Sequence, residues 1–581
     1  MHVSSAVVSM TARYPLDKLG GDLMALMTTT VALSEFQDIR DGNKYYVDKS
    51  LLIKDLLSKD DRGAYLFIRP RRFGKSMNLS MLDAFFNVKY KGNHWFDGLK
   101  ISEYHEYDDY KNRFPVIRLD LKELNVTSWE DFLESLEGRI IDIYSSYDDL
   151  LDGNLSSYHR DYYQMILKRG NGSGVLEYSL STLATMLRRR YDSKVIVLID
   201  EYDNPLTSTL GFEINGKIAG FLKSIYSRLL KGNTDIQMSY VTGTSRAIHQ
   251  GFFSGLNNMR VDDVFSTMSD ERFGFTESET KALLDYYGVP EKIDEVREWY
   301  DGYRFGDVDV YNPFSLMSYI GEDFKPSPYW KRTSSNSILK WILERIDARR
   351  ALEMSRVLIG ESVDFTLPAY AALSDMDLPE DWHLFYVLVE MGYLKIVPDG
   401  GDRFLISIPN KEVSFGIEFE LTHAIGLNHE VIDKLVNSLT SMDDRTTMDC
   451  LGILLNDQSF FNLTDERHYA AVLTIAIRSL NRGYRIILEP DRIGHTVDVF
   501  LLPRTEGKES IIIGIRRVDE ADQMESAMEH VFDRIQRSKS YQGICGDVVM
   551  TGMVFCGNNS LVRSNRVHID GRFLTKYVEY G

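Results

Sequence analysis

Residues 64–82 read AYLFIRPRRFGKSMNLSML and combine three local patterns in one short segment. The apolar run Ala64–Ile68 has the length of a buried strand, and Lys75–Phe86 has the pattern of a helix. Between them, Gly74, Lys75 and Ser76 stand in the order of a phosphate-binding loop, which needs inward backbone N–H groups, a cation for the phosphates and a hydroxyl for Mg²⁺. The candidate nucleotide-binding residues are Arg72, Phe73, Gly74, Lys75, Ser76 and Met77.

The loop departs from the usual phosphate-loop pattern at its first position. The first glycine of that pattern falls at Arg69, which is followed by Pro70. A bulky residue at this turn changes the path of the chain into the loop, so the bare pattern does not match. The alternative interpretation is an ordinary strand–turn–helix junction that contains the letters GKS by chance.

A second motif supports nucleotide binding. VIVLIDE at 195–201 is an apolar strand that ends in two carboxylates. In a P-loop NTPase, Asp200 would hold Mg²⁺ through water, together with the Ser76 hydroxyl, and Glu201 would polarise the attacking water. Such a pair by itself also fits a solvated strand end. Because the two motifs stand in the right order, each after its own strand, the sequence predicts a nucleoside triphosphate site.

A third apolar run, Gln237–Thr242, leads into the polar sequence TGTSR at 242–246. Some NTPases carry an extra strand between the two motifs, and a polar residue at its end can orient the water that attacks the phosphate. Thr242 is the candidate for that role. Arg246 is a candidate contact to the γ-phosphate, with a surface arginine as the alternative interpretation.

The chain as a whole has the composition of an ordinary globular protein. Its 581 residues include 67 Lys and Arg against 86 Asp and Glu, a formal net charge of −19. This acidity argues against a protein that coats nucleic acid by charge alone. No apolar run is long enough to cross a membrane, and three scattered cysteines do not make a disulfide framework or a zinc site. We therefore expect a cytoplasmic protein.

Strand-like and helical patterns divide the chain into four regions. Residues 1–35 form a leader, with Met24 or Met27 as alternative starts; 36–276 alternate strands and helices, as in an α/β unit with a parallel sheet. Residues 277–464 are mainly helical and predict a lid or linking domain, and 465–581 predict a further α/β domain. The predicted strands are Ala64–Ile68, Pro115–Leu121, Lys194–Ile199, Ile236–Val241, Tyr484–Leu488, Thr496–Leu502, Ser510–Arg516 and Val548–Cys556.

Several motifs resemble those of the predicted AAA-ATPase-like family of archaea and bacteria. They are RPRRFGKSMNLSML (69–82), VLIDEYDNPL (197–206), YYVDKSLLI (45–53), FFSGLNN (252–258), WYDGYRFG (299–306) and YNPFSL (311–316). The resemblance implies a P-loop core that binds ATP, and a C-terminal domain similar to the PD-(D/E)xK nuclease (restriction-endonuclease-like) superfamily. ATP rather than GTP rests on this resemblance alone.

The C-terminal region departs from the nuclease pattern that the resemblance implies. That pattern needs an Asp on one strand and Glu-x-Lys on the next, so that two carboxylates hold Mg²⁺. Glu489 and Asp498 fall where the upstream acids belong, but Gly514 takes the place of the second carboxylate and Arg516 that of the lysine. Glycine cannot ligate a metal, and arginine does not give up its proton. We expect a nuclease-like fold with lost or altered cleavage, or an α/β domain for protein contact.

Three functional hypotheses remain open at this stage. The first is an ATPase that couples hydrolysis to movement of the C-terminal domain. The second is a DNA or RNA nuclease that ATP binding activates, and the third is a nucleotide-gated interaction protein without turnover, which the altered position at Arg69 slightly favours. A nucleotide is the expected partner. DNA or RNA at the C-terminal domain and association into a homo-oligomer stay open.

Overall fold

This computed structural model describes most of the chain outside the first 34 residues. The described residues are 35–59, 62–122, 124–153, 155–245, 259–330, 348–366, 380–400, 403–424, 429–456, 465–478, 480, 483–490, 497–537, 546–570 and 573–577. Residues 1–34 of the predicted leader, Arg246 and the FFSGLNN motif (252–258) therefore lie outside them. No helix in these ranges combines the length and the apolar character that a membrane crossing needs.

Within the described residues, the N-terminal part builds a five-stranded parallel sheet in the order β2-β3-β4-β1-β5. The strands are β1 Ala64–Ile68, β2 Val116–Asp120, β3 Val195–Asp200, β4 Ile236–Gly243 and β5 Met259–Asp262. The helices are α1 Phe36–Asp41, α2 Leu51–Lys59, α3 Lys75–Phe86, α4 Trp129–Ser145, α5 Ser157–Leu167, α6 Ser173–Tyr191, α7 Asn204–Ser208 and α8 Asn215–Leu230. The four predicted strands are confirmed, and β4 lies between β1 and β3 as expected; β5 was not predicted.

Helices cover both faces of this sheet. Every residue of β1 and β3 is buried, as expected for parallel strands enclosed on two sides. Side chains of β1 alternate between two cores: Tyr65 and Phe67 pack into the core that contains α3, whereas Leu66 and Ile68 pack with α4, α6 and α8. The strands being parallel, their carboxyl ends share one edge of the sheet, where ligands of such folds bind.

The described residues of the middle part, 277–464, are mainly helical, and they also include short strands. Its helices are α9 Glu277–Tyr286, α10 Ile293–Tyr300, α11 Pro313–Gly321, α12 Ala348–Leu358, α13 Glu380–Glu390, α14 Lys411–Ala424, α15 His429–Ser441 and α16 Asp444–Asn456. Two small antiparallel sheets belong to the described residues here. The first consists of β6 Phe275–Thr276, just before this region, with β7 Tyr303–Phe305 and β8 Val308–Tyr311; the second consists of β9 Val363–Thr366, β10 Lys395–Pro398 and β11 Arg403–Ser407. Strands of two to five residues leave little periodic signal in the sequence.

The C-terminal part builds a six-stranded mixed sheet from described residues, in chain order β12 to β17. Its elements are α17 Glu466–Ile477, β12 Tyr484–Pro490, β13 Val497–Pro503, β14 Ser510–Arg517, α18 Met524–Arg537, β15 Gly546–Cys556, β16 Asn559–Asp570 and β17 Phe573–Tyr577. β14 and β15 pair in parallel, and α18 supplies the crossover that such a pair needs; the other neighbouring strands pair antiparallel. The predicted strands are confirmed here too, but β16 and β17 were not predicted.

Candidate functional site

The backbone of the loop between β1 and α3 turns twice through the left-handed region. Arg72 has a φ of 73° and Gly74 a φ of 86°, and α3 begins at Lys75. Left-handed residues in such a turn bring successive backbone N–H groups to one side, and the start of a helix adds its own free N–H groups. The loop therefore has the backbone shape of an anion-binding site. The Arg72 side chain is exposed and lies 4.3 Å above the ring of Phe314.

Arg69 is a structural anchor at the start of this loop. Its side chain is fully buried, and a guanidinium nitrogen lies 2.5 Å from Oδ1 of Asp262 at the end of β5. It also donates to the hydroxyl of Ser269 at 3.1 Å and lies between the rings of Phe273 and Phe305. The residue that replaces the expected glycine thus ties the loop to the sheet edge.

Lys75 folds back onto its own loop. Its Nζ donates to the carbonyl oxygens of Arg69 at 2.9 Å and Pro70 at 3.1 Å, and the side chain is buried. Burial lowers the pKa of Lys75, and the neighbouring carboxylates, led by Glu201 and Asp203, oppose that shift. The Lys75 ammonium therefore donates hydrogen bonds to carbonyl oxygens of its own loop and lies among the carboxylates of Glu201, Asp203 and Asp200.

Ser76 and Asp200 meet around one cation, the ammonium group of Lys122. The Lys122 Nζ donates a short hydrogen bond to the Ser76 hydroxyl and lies 3.2 Å from Oδ2 of Asp200. The Asp200 carboxylate is almost fully buried, and its Oδ1 accepts a hydrogen bond from Thr242 at 2.5 Å. Burial by itself raises the pKa of Asp200, but Lys122 and the hydroxyls outweigh it and hold that pKa below its usual value. The two predicted metal ligands are therefore adjacent and ready to hold a positive charge.

Thr242 joins the strand β4 to the Asp200 carboxylate and to the backbone of Glu201 at the end of β3. Besides its bond to Asp200, its hydroxyl accepts the backbone N–H of Glu201 at 3.2 Å. Glu201 has a φ of 52°, a conformation that non-glycine residues adopt mainly where the surroundings impose it. Burial raises the pKa of Glu201, and Lys75 opposes this. Thr242 thus fixes the positions of Asp200 and Glu201.

Three residues of this site escaped the sequence analysis: Lys122, Asp203 and Glu390. Lys122 lies two residues after the end of β2, so its place near a strand end was a signal that could have found it. Asp203 is buried and accepts the backbone N–H groups of Thr244 and Ser245, each at 2.9 Å. Glu390 comes from α13, and its carboxylate accepts a hydrogen bond from Ser245 at 2.6 Å. No sequence signal marks Glu390, because its place depends on packing between distant segments.

The middle region packs directly against the phosphate loop. Phe73 is fully buried, with its ring 4.8 Å from Tyr303 and 5.1 Å from Phe305 of the WYDGYRFG segment. Gly392, with a φ of 83°, lies so close to Pro70 that an added Cβ would come within 2.9 Å of it. Met77 is half-buried against the same apolar core. The interior faces of the loop are therefore filled by protein side chains.

In the C-terminal sheet, the structure brings three predicted residues into register. Glu489 on β12 pairs with Asp498 on β13, and Asp498 pairs with Gly514 on β14. The side chain of Glu489 lies outside the described residues. Arg516 is exposed on β14. The three positions thus lie side by side on neighbouring strands.

The side chains in this register do not have the expected chemistry. A Cβ on Gly514 would lie 2.7 Å from Val531 and 2.8 Å from Ile535 of α18, so the helix fills the space of the second carboxylate. The buried Asp498 carboxylate lies 2.8 Å from a guanidinium nitrogen of Arg534 on the same helix.

The acids that could have replaced the missing carboxylate are engaged as well. Glu509 pairs with Arg566 at 2.9 Å and Asp519 with Arg517 at 2.7 Å. No group of three or more metal-ligating side chains occurs among the residues that the structure describes.

Comparisons with known proteins agree with the N-terminal site. Residues 30–253 match the family model described as AAA-ATPase-like, predicted AAA-ATPase, and this range contains every candidate nucleotide residue. The chain is 28% identical over 400 residues to the "Uncharacterized protein in vnfD 5'region" of Azotobacter chroococcum mcd 1, covering 66% of this chain and 67% of that protein. The family match supports an AAA-ATPase-like P-loop protein, and the C-terminal sheet lies outside the matched range.

Among solved structures, the Aeropyrum pernix ORC2 protein in ADPNP–ADP complexes aligns with 64% of this chain and 93% of its own. The identity is 10% and the TM-score 0.22, which is too low to indicate a shared fold.

Proposed function

We propose that this protein is a P-loop ATPase that binds Mg–ATP at the carboxyl edge of the N-terminal sheet and uses hydrolysis to move the regions that follow. The observation that carries this proposal is the meeting of Ser76 and Asp200 on one cation beside a loop of anion-binding shape. In an ordinary strand–turn–helix junction, nothing would require a hydroxyl and a buried carboxylate to contact the same cation.

The residues present fit Mg²⁺. A hydroxyl and a carboxylate are the oxygen ligands that this ion prefers, and it commonly takes its remaining ligands from water and the phosphates. Among the described residues, the buried Oδ2 of Asp200 accepts no hydrogen bond of good geometry and lies 3.2 Å from the Lys122 ammonium, so a metal could take the place of that cation. Bound Mg²⁺ would neutralise charge on the phosphates.

The protein groups around that position have complementary roles in the proposal. Lys75 would exchange the carbonyls of Arg69 and Pro70 for phosphate oxygens, which offer it full negative charges. Glu201 would accept the proton of the attacking water, and its raised pKa makes its carboxylate a stronger base than an ordinary glutamate. Thr242 would hold Asp200 and Glu201 in place through its two hydrogen bonds.

Contacts from the loop and strand ends offer a route for movement. Ser245 after β4 bonds to Glu390, and Phe73 in the loop packs on Tyr303 and Phe305. One apolar core continues from α3 through the middle region to β14, β15 and β16. A shift of the loop on nucleotide binding would therefore press on elements that belong to the middle region, and through them on the C-terminal sheet.

Nuclease activity is not part of this proposal. Its second metal ligand would have to occupy the space that Val531 and Ile535 fill above Gly514. Among the hypotheses, a nucleotide-gated interaction protein without turnover differs from the ATPase only in the hydrolytic step.

The proposal is tested by nucleotide binding and hydrolysis on purified protein, with and without Mg²⁺, DNA or RNA. Lys75→Ala should lose nucleotide binding, because Lys75 is the buried cation at the centre of the loop and alanine removes its charge. Glu201→Gln should keep binding and lose turnover by about 10²–10⁴-fold. Lys168→Ala, which removes an exposed lysine at the end of α5, is the matched control and should behave as wild type.

Two outcomes would overturn parts of the proposal. If the wild type binds no nucleotide, the P-loop site is not a nucleotide site. If it binds Mg–ATP but never hydrolyses it, the gated interaction protein is the function that remains. Metal-dependent nicking that Asp498→Ala abolishes would restore the nuclease hypothesis despite Gly514.

A further inference from the structure

The backbone at the end of β2 places Lys122 beside Ser76 and Asp200, the proposed metal ligands. β2 and β3 pair with Asp120 opposite Asp200, and the next residue, Leu121, donates its N–H to the Asp200 carbonyl at 3.1 Å. Lys122 follows, and its own N–H is fixed by the Asp120 carboxylate at 2.8 Å. The lysine side chain therefore leaves the backbone beside Asp200 and reaches the Ser76 hydroxyl.

We infer that Lys122 is a built-in counter-ion for the metal position: its ammonium group compensates Asp200 while the site holds no nucleotide, and Mg²⁺ that arrives with the nucleotide displaces it. This inference rests on the proposed function of the site. It assigns to Lys122 a positioning role and explains why a cation of the protein touches both candidate metal ligands.

The two partners of this ion pair differ in their freedom to leave. The Asp200 side chain is 1% exposed, so its charge needs a compensating partner at all times. The Lys122 side chain is 33% exposed, and its flexible four-carbon stem allows the ammonium group to move into water and stay hydrated there. An exchange of Lys122 for a metal ion therefore replaces one compensating charge by another.

The exchange gives the site a selectivity for metal and nucleotide together. Free Mg²⁺ has to compete with an ammonium group that is tethered beside Asp200, so it binds weakly alone. A nucleotide brings additional oxygen ligands and negative charge for Mg²⁺, which favours the displacement. Lys122 thus holds Ser76 and Asp200 together when no nucleotide is bound, and it weakens the binding of Mg²⁺ alone.

The test uses Mn²⁺ alone as the probe, titrated into nucleotide-free protein and followed by electron paramagnetic resonance. Lys122→Met should bind Mn²⁺ about tenfold or more tightly than wild type, since the competing charge is gone. Lys168→Met, which has the same net charge, should match wild type, and so should Lys122→Arg. The double variant Lys122→Met/Asp200→Asn should lose the added affinity.

A second readout is thermal unfolding without nucleotide, in EDTA and then in Mg²⁺. Lys122→Met should melt below wild type in EDTA and recover with Mg²⁺ alone, whereas wild type should change little. If Lys122→Met cannot be purified, Lys122→Gln, which is polar but carries no charge, takes its place.

Equal Mn²⁺ affinity in wild type and Lys122→Met, or a gain that survives Asp200→Asn, would overturn the inference. Neither measurement uses nucleotide. ATP binding by the wild type is therefore measured in a separate experiment, and its failure would contradict the proposed function and not the role of Lys122.

Discussion

Asp200 in the N-terminal sheet and Asp498 in the C-terminal sheet form an instructive pair. Both are buried strand residues, both were predicted as metal ligands, and each has a basic partner, at 3.2 Å and 2.8 Å respectively. They differ in their surroundings. Asp200 has the hydroxyls of Ser76 and Thr242 nearby, whereas Asp498 lies opposite Gly514 under a helix. A buried carboxylate is suited to a metal only where further oxygen ligands surround it.

The basic partners of buried aspartates also differ in their access to solvent. The side-chain exposure is 33% for Lys122, 22% for Arg534 and zero for Arg69, which pairs with Asp262. A partner that reaches water can be exchanged for a metal, while a fully enclosed partner can only be structural. This order predicts that the loss of Arg69 destabilises the protein most.

The largest expected effect is therefore that of Arg69→Met. It leaves Asp262 buried without its cation, so the free energy of unfolding should fall by about 3–5 kcal/mol. Urea unfolding monitors this loss, and Asp262→Asn in the same chain should recover part of it. The control is Arg188→Met, which breaks the surface pair with the fully exposed Asp192 and should cost about 1 kcal/mol or less. Equal losses in both variants would contradict the distinction between enclosed and exposed partners.

The same contrast shows how far sequence reasoning reaches. The strands β1 to β4 were predicted to within two residues because buried parallel strands are apolar runs with sharp ends. β16 contains the polar run RSNR at 563–566, and β6 to β8 are short, so neither stood out as an apolar run.

For the site, sequence patterns placed Ser76 and Asp200 because each follows directly on a strand or loop motif. The inward turn of Arg69 and the reach of Lys122 depend on side-chain contacts across the sheet, which no local pattern encodes.

The next effect concerns a buried carboxylate that is held in place by hydrogen bonds and not by a cation. Glu412 in α14 accepts the backbone N–H of Trp330 at 2.8 Å, and burial raises its pKa from 4.5 to about 7. Between these values the folded protein keeps a proton that the unfolded chain releases, so stability falls as pH rises through this window. The total fall is roughly 3 kcal/mol.

Glu412→Gln should remove that pH dependence and be more stable than wild type at pH values above about 7. Denaturant unfolding of both proteins across the window measures it, and Glu130→Gln, a change in the first turn of α4, is the control. Parallel curves for wild type and Glu412→Gln would mean that Glu412 is ionised in the folded protein. Buried carboxylates with a cationic partner, such as Asp262, and those with only hydrogen-bond donors, such as Glu412, would then not differ in protonation.

The smallest expected effect tests the C-terminal half of the comparison directly. Gly514→Ala should destabilise the protein by about 1–3 kcal/mol, because the new methyl group meets Val531 and Ile535 at less than contact distance. Gly138→Ala is the matched control: no atom lies within 4 Å of its Cβ, and inside α4 it should stabilise by up to about 1 kcal/mol. The two substitutions thus have opposite signs in thermal unfolding. If Gly514→Ala is neutral, α18 can withdraw from β14, and the space opposite Asp498 could then admit a metal ligand after all.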